Sequence, residues 1–353
     1  MAPQKQISTN VTELLGVRHP VLLAGMFNVA SPKLAAAVTN GGGLGVIGGV
    51  AYTPELLREA LKELKSYLVD KNAPFGVDLL IPKVGGNARK TNYDYSHGKL
   101  GELIEIIIES GAKLFVCAVG IPPKWAVDRL HQGGVLYMNM IGHPKHALKA
   151  IEVGADLICA QGGEGGGHTG DIPTIVLIPA VAEVLRGKIS SFTGRQVALV
   201  AAGGMYNGQT LAAALMLGAG AVWVGTRFIL SEESGASKFH QKALQDAGLD
   251  GIIRTTIFSG RPLNTQSTPY IQRWETERRE EMLQLQNKGI IPLAHDMETK
   301  KDDNEVLDNA HPVLMGKVAG LVRERLPAGK IVESMVEEAA ELLEVGGKSV
   351  AKL

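Results

Sequence analysis

Eight short apolar runs punctuate the chain, and each is stopped by glycine or a polar turn. They are HPVLLAGM (19–26), GLGVIGG (43–49), PFGVDLL (74–80), KLFVCAVG (113–120), VLYMNMIG (135–142), DLICAQGG (156–163), VALVAAGG (197–204) and AVWVGTRF (221–228). Nearly all are continuously apolar rather than alternating, which is the pattern of strands covered on both faces. Helix-period segments separate them. SPKLAAAVTNGG offers Ser31 as an N-cap and Pro32 as the first helical residue, and TPELLREALKELKSYL repeats the device with Thr53 and Pro54. GKLGELIEIIIESGAK, PPKWAVDRLHQGG, HPKHALKAIEVGAD and NGQTLAAALMLGAGA follow, several halted by glycine. Strand and helix alternate through about 230 residues, which suits an α/β fold of the (β/α)8, or TIM, barrel type. An open doubly wound sheet is the rival, but strand number and spacing favour closure.

From about residue 260 the pattern changes. RWETERREEMLQLQNKG reads as a charged helix, HDMETKKDDNEVLDNA as surface, and VESMVEEAAELLEVGG as amphipathic. The expected organisation is a barrel over 1–260 and an appended C-terminal helical layer or lid over 261–353. A length of 353 residues is normal for such a barrel with additions. With 45% hydrophobic and 20% charged residues, a large core is expected and disorder is not. Basic and acidic residues balance at 36 each and aromatics are only 5%, so nothing asks for nucleic acid. No apolar run is long enough to span a membrane, and MAPQKQISTN lacks the apolar core of a signal peptide. The final AKL is a conservative variant of the S-K-L peroxisomal address, which makes the expected location cytoplasmic or peroxisomal. Cys117 and Cys159 both sit in strand-like runs and read as small buried hydrophobes, not as a disulfide or metal site. Apolar residues in the last helix allow a homodimer.

Glycine is abundant, at 43 residues, and it clusters at strand ends: Gly25, Gly48 with Gly49, Gly162 with Gly163, Gly203 with Gly204, and Gly225. In a barrel the C-terminal strand ends carry the active site, and the loops after strands seven and eight commonly bind phosphate. Gly203 and Gly204 follow the seventh run; Gly225 and Thr226 follow the eighth. Bare backbone there lets N–H groups converge on an anion, and Thr226 adds a hydroxyl. A Rossmann reading of Gly41–Gly45 is weaker, because no acidic residue sits suitably downstream. After the sixth run comes AQGGEGGGHTGD (160–171). Backbone this bare can lie flat against a planar ligand, with His168 at the ligand's edge and Glu164 anchoring the loop. The plainer alternative is a set of tight turns with an inert histidine. Position at the catalytic face favours the functional reading of His168.

AGM after the first run, QGGEGGGHTGD after the sixth, AAGGM after the seventh and GTRF after the eighth together resemble the nitronate monooxygenases, formerly called 2-nitropropane dioxygenases. The resemblance implies a TIM barrel, an appended helical domain and non-covalent FMN. It implies that Ala24, Gly25 and Met26 contact the flavin, that Gln161, Gly166 and Gly167 lie along it, and that Gly203, Gly204, Gly225 and Thr226 hold its phosphate. His168 matches the active-site histidine. One position departs. Members often carry Asn in the third strand, where this chain has Asp78 in GVDLL. A carboxylate beside a flavin and an anionic substrate is unfavourable unless paired or protonated. RKTNYDYSHGKL (89–100) and the tail beyond 270 match no known role.

The implied activity is oxidation of small alkyl nitronates, such as propionate 3-nitronate, with O2 to a carbonyl compound and nitrite. His168 then has two open roles: stabilising the anion, or acting as base toward a neutral nitroalkane. The same scaffold resembles NAD(P)H:quinone reductases and enoyl-thioester reductases, although no nicotinamide signature is visible. A flavin-free barrel acting on a phosphorylated metabolite is a further alternative.

Overall fold

The structure, a computed structural model, describes residues 5–50 and 52–349. Eight parallel strands form one sheet: β1 (Val21–Leu23), β2 (Gly45–Gly49), β3 (Phe75–Leu80), β4 (Leu114–Ala118), β5 (Leu136–Ile141), β6 (Leu157–Gln161), β8 (Ala198–Ala202) and β9 (Ala221–Val224). Their order is β1-β9-β8-β6-β5-β4-β3-β2. The two ends meet through a parallel bridge from Leu22 to Leu44, with Leu23 N–H donating to the Leu44 carbonyl (2.9 Å) and Leu44 N–H to that of Val21 (3.0 Å). This closes the barrel, and every apolar run read as a strand supplies one of its staves.

Continuous apolarity has a direct cause here. Phe75, Val77 and Leu79 of β3 face the surrounding helices, as do Phe115 and Cys117 of β4. Val46, Leu114, Val116, Met138, Cys159, Val200 and Trp223 fill the interior. Both faces of each strand are therefore dry. The two cysteines are free thiols and fully buried.

The outer ring consists of α2 (Pro32–Asn40), α3 (Pro54–Tyr67), α4 (Leu100–Glu109), α5 (Lys124–Gln132), α6 (Lys145–Glu152), α7 (Thr174–Leu185) and α8 (Gly208–Met216), with α1 (Asn10–Leu15) ahead of β1. Ser31 accepts from Leu34 N–H and Thr53 from Leu56 N–H, each at 3.2 Å, and proline opens both helices as expected. The ring is completed by the last helix, α15 (Ala328–Lys348), which packs between α8 and α2. Its apolar stripe, including Ile331, Val332, Met335 and Val336, is spent on this packing, while Leu342 and Val345 stay exposed. Glu338 also accepts from Gly208 N–H at the start of α8 (2.6 Å).

Between β9 and α15 the chain makes a long excursion. It contains α9 (Thr226–Ile229), α10 (Lys238–Asp246), α11 (Pro269–Thr276), α12 (Arg279–Asn287), α13 (Pro292–Thr299), α14 (Asn304–Asp308) and a 3-10 turn at Lys317–Leu321. It has its own small core around Ile257, Tyr270, Trp274, Met282 and Leu293. Inside it, Arg278 pairs with buried Asp296 and stacks on Trp274 at 3.5 Å. The excursion also holds two strands, β10 (Ile252–Thr255), in the range expected to be barrel, and β11 (Leu263–Gln266), in the tail read as helical. Their partner is β7 (Gly167–His168), and the three form an antiparallel sheet in the order β10-β11-β7. The segments are too short to show period-two alternation, so tertiary pairing makes them strands. Among the described residues no helix is long and apolar enough to cross a membrane. The Ala351–Leu353 address lies outside the described residues.

Candidate active site

The barrel mouth is built first from the ends of β1, β2 and β3. Asp78 alternates inward on β3 and is 2% exposed. A Cβ on Gly25 would lie 2.3 Å from Asp78 Oδ2, and one on Gly48 would lie 2.4 Å from the Asp78 carbonyl oxygen. Both neighbours must be glycine for the Asp78 side chain to fit. Asp78 Oδ1 has no hydrogen-bond partner, and burial raises the carboxyl to about 8. Ala24 joins the interior cluster and Met26 packs beside it, with its sulfur 3.4 Å from where a Cβ on Gly225 would stand.

The next part is the pair of turns after β8 and β9. Gly203 and Gly204 have φ of 92° and 77°, a left-handed conformation that side chains resist. Gly203 packs tightly, since a Cβ there would sit 2.9 Å from Gly162 N. A Cβ on Gly204 would make ordinary contact with Glu164 (3.6 Å), and one on Gly225 with Ala24 and Met26 (3.4 Å each). Among the described residues, neither Gly204 N–H nor Thr226 N–H reaches a backbone acceptor. Thr226 Oγ1 accepts from Gly316 N–H at 2.9 Å, which leaves its own hydrogen free to donate. These groups are suited to an anion.

The glycine loop after β6 is held from several sides. Gln161 Nε2 donates to the His168 carbonyl (2.7 Å). Glu164 accepts from Thr174 N–H (3.0 Å), and the Thr174 hydroxyl lies 2.6 Å from Glu164 Oε2, so this acid anchors the loop as expected. Asn264 Nδ2 donates to the carbonyls of Gly163 (2.8 Å) and Gly165 (2.7 Å). Bare backbone proves to serve two purposes. A Cβ on Gly166 would sit 2.8 Å from Gly316 N, so this glycine admits the backbone of 315–316. Gly167, at φ 66°, faces open space apart from Leu314 at 3.8 Å.

His168 follows at once, paired with Leu263 in β7. Its Nε2 lies 2.8 Å from Ser259 Oγ. Burial, helped by the nearby Arg261 charge, lowers the imidazole to about 4, so it is neutral at pH 7. Arg261 is itself a brace. Its Nη1 donates to the Val119 carbonyl (3.0 Å) and its Nε to Asn92 Oδ1 (3.1 Å). Val119, at φ 72°, is a β-branched residue in a region such residues avoid, a strain typical of functional sites. Arg89 Nη1 donates to the Gly260 carbonyl (3.2 Å), so the 89–100 segment buttresses the turn carrying Ser259 and Arg261.

Ser259, Arg261, Asn264 and Gly316 did not stand out in the sequence. The available signal was the turn composition of SGRPLN, which marks a loop without saying what it meets. A cavity of about 150 Å3 lies at the opposite end of the barrel, among Asn10, Arg186, Gln196 and Gly218. It lacks convergent titratable groups of the kind found at the mouth.

The chain resembles several known proteins. It is 36% identical to the (3aS,4S,5R,7aS)-5-hydroxy-7a-methyl-1-oxo-octahydro-1H-indene-4-carboxyl-CoA dehydrogenase of Mycobacterium tuberculosis, over 78% of this chain and 70% of that protein. It is 30% identical to a nitronate monooxygenase of Pseudomonas aeruginosa, over 93% of this chain and 98% of the other. The structure of FabK from Thermotoga maritima superposes with a TM-score of 0.78 at 28% identity, covering 98% of this chain and all of that one. The nitronate monooxygenase family model matches residues 8–338, and the chain, an oxidoreductase, belongs to that family.

Proposed function

We propose that the chain is an FMN-dependent oxidoreductase that oxidises small nitronates and their parent nitroalkanes with O2, giving a carbonyl compound and nitrite. The observation that carries this reading is the neutral His168 imidazole at the barrel mouth, fixed by Ser259. A neutral imidazole is a base, and a base suits a substrate bearing an acidic C–H beside an electron-withdrawing group.

The residues present fit FMN. Gly167, Gly204 and Gly225 put bare backbone at the mouth for a flat ligand to lie against, and the free N–H groups at Gly204 and Thr226 with the Thr226 hydroxyl suit its phosphate. Orphaned Asp78 Oδ1 at the strand ends offers a polar atom in need of a partner. Ala24, Gly25, Met26 and Gln161 complete the cradle, while Gly166 and Gly203 shape it from behind. When bound, FMN accepts the substrate's electrons and passes them to O2. The chain's own contribution is to seat the substrate, exclude water with the 313–317 segment, and take the proton. With Nε2–H donating to Ser259 Oγ, the Nδ1 lone pair of His168 is free to receive it. For a substrate that is already a nitronate no base is needed, and the site has only to position it.

A second reading has its own support. The similarity to a carboxyl-CoA dehydrogenase favours an acyl thioester, whose α-carbon is also a carbon acid. Quinone reduction and enoyl-thioester reduction by NAD(P)H are the remaining flavin readings. One panel separates them: O2 uptake and nitrite release with nitroethane, propionate 3-nitronate, an acyl-CoA, NADH and NADPH. Nitrite from the nitro compounds supports the first reading; turnover of the acyl-CoA alone replaces it with the second, and NAD(P)H oxidation with the third. Membership of an oxidoreductase family speaks against the flavin-free barrel acting on a phosphorylated metabolite.

We further assign the cradle to the barrel and the cover to the excursion before α15. A dimer formed through Leu342 and Val345 is tested by sedimentation, and the peroxisomal address by fusing the final tripeptide to a reporter, where diffuse signal removes it.

A further inference from the structure

Asp78 stands in the cradle, and its surroundings are unusual for an acid. It is buried on the inner face of β3, its Oδ1 is unpartnered, and no cation pairs with it among the described residues. Gly25 and Gly48 leave it room on either side, since a Cβ on either would collide with it. The titratable groups that couple to it are the thiols of Cys117 on β4 and Cys159 on β6, both fully buried and held protonated by burial. Nothing nearby compensates a negative charge. A carboxyl in such a place keeps its proton, and its O–H then needs an acceptor.

We infer that Asp78 is a neutral carboxylic acid that donates a hydrogen bond to an acceptor atom, a carbonyl oxygen or an unprotonated nitrogen, on the flavin ring system, and that its ionisation releases the cofactor. This rests on the FMN reading above. An asparagine at this position also donates, through its amide, but carries no proton that pH can remove. A carboxylic acid here therefore makes a contact that pH can break, where an amide would make a fixed one. The sign follows from binding to the protonated form alone. With the carboxyl at about 8, affinity is constant below pH 7 and falls above 8. The apparent dissociation constant then rises about fivefold from pH 8 to 9 and approaches tenfold per unit beyond, as the competent fraction shrinks.

The test is titration of the full chain, stripped of cofactor, with FMN from pH 6 to 9.5, followed by quenching of flavin fluorescence. The wild type and Asp78→Asn are compared, and infrared difference spectra are recorded on FMN addition. The expected result is a wild-type dissociation constant about fivefold higher at pH 9 than at pH 8, and about tenfold higher at pH 9 than at pH 6. Asp78→Asn should show no such rise, and a protonated-carboxyl C=O band should shift on binding in the wild type only. A wild-type constant that is flat across this range, an equal rise in both proteins, or a carboxylate signature at pH 7 overturns the inference while leaving the flavin reading intact. Absence of FMN binding at every pH removes both. If Asp78→Asn does not fold, the wild-type pH profile and its infrared band decide alone.

Discussion

His168 Nε2 and Ser259 Oγ lie 2.8 Å apart although 91 residues of chain separate them. The contact ties the glycine loop after β6 to the turn between β10 and β11, and it holds the imidazole in place. Ser259 Oγ also accepts from Arg261 N–H at 3.3 Å, so the hydroxyl is itself oriented. Removing it should leave the imidazole free to rotate. Ser259→Ala is expected to lower kcat on nitroalkanes by about 10–100-fold, the usual range for a supporting partner, with FMN affinity unchanged. Steady-state kinetics beside an FMN titration check this; an equal loss of cofactor binding points to a structural role instead.

The acid limb of the pH–rate profile should be displaced. Burial and Arg261 hold His168 at about 4 against an ordinary 6.5, so the base form persists well below neutrality. kcat/KM on a nitroalkane is expected to stay level from pH 8 to about 5 and to fall only near 4. Arg261→Gln removes a charge that disfavours the imidazolium, so its limb should move up toward 6.5. A wild-type limb already at 6.5 contradicts the buried, neutral histidine.

Much of this was legible from residue pattern, and the reasons are specific. Strands such as PFGVDLL and VALVAAGG are covered on both faces, so their apolarity is unbroken and easily read. Ser31-Pro32 and Thr53-Pro54 announce helix starts through local chemistry alone. His168 and the glycines at strand ends follow once the barrel is recognised. What stayed hidden depends on contacts between distant segments. β7 has two residues and becomes a strand only because Leu263 and Asn264 lie beside it. Gly166 is bare because 315–316 packs on it, which no local pattern reports. Arg261 reaches Val119 across 142 residues. Asp78 stood in the sequence as a conflict, and only the fold shows that it is buried with Oδ1 unpartnered.

Asp78 also sets a stability trend. Its folded value of about 8 exceeds the ordinary 3.8, so the folded state holds a proton that the unfolded chain releases. Stability should therefore decline as pH rises from about 4 to 8, by up to roughly 4 kcal/mol at pH 7 if the full shift is realised. Asp78→Asn should flatten this decline in denaturant melts of the cofactor-free protein. Parallel slopes in the two proteins count against a protonated Asp78.

Gly25 and Asp78 should behave as a coupled pair. A methyl on Gly25 would stand 2.3 Å from Asp78 Oδ2. Gly25→Ala is expected to cost about 1–3 kcal/mol through overpacking. In an Asp78→Ala background the same change should cost less, giving a coupling of at least 0.5 kcal/mol or so. Additive effects in chemical denaturation show that the collision is relieved elsewhere.

The proposal of a neutral base in a flavin site is tested most directly by anaerobic mixing of wild type and His168→Ala with nitroethane and, separately, with its nitronate, while flavin absorbance is followed. The wild-type flavin should bleach with both. His168→Ala should retain its FMN and still bleach with the nitronate, but should bleach with nitroethane about 10²–10⁴-fold more slowly. A colourless protein that refuses added FMN, or a His168→Ala variant that bleaches with nitroethane at the wild-type rate, contradicts it.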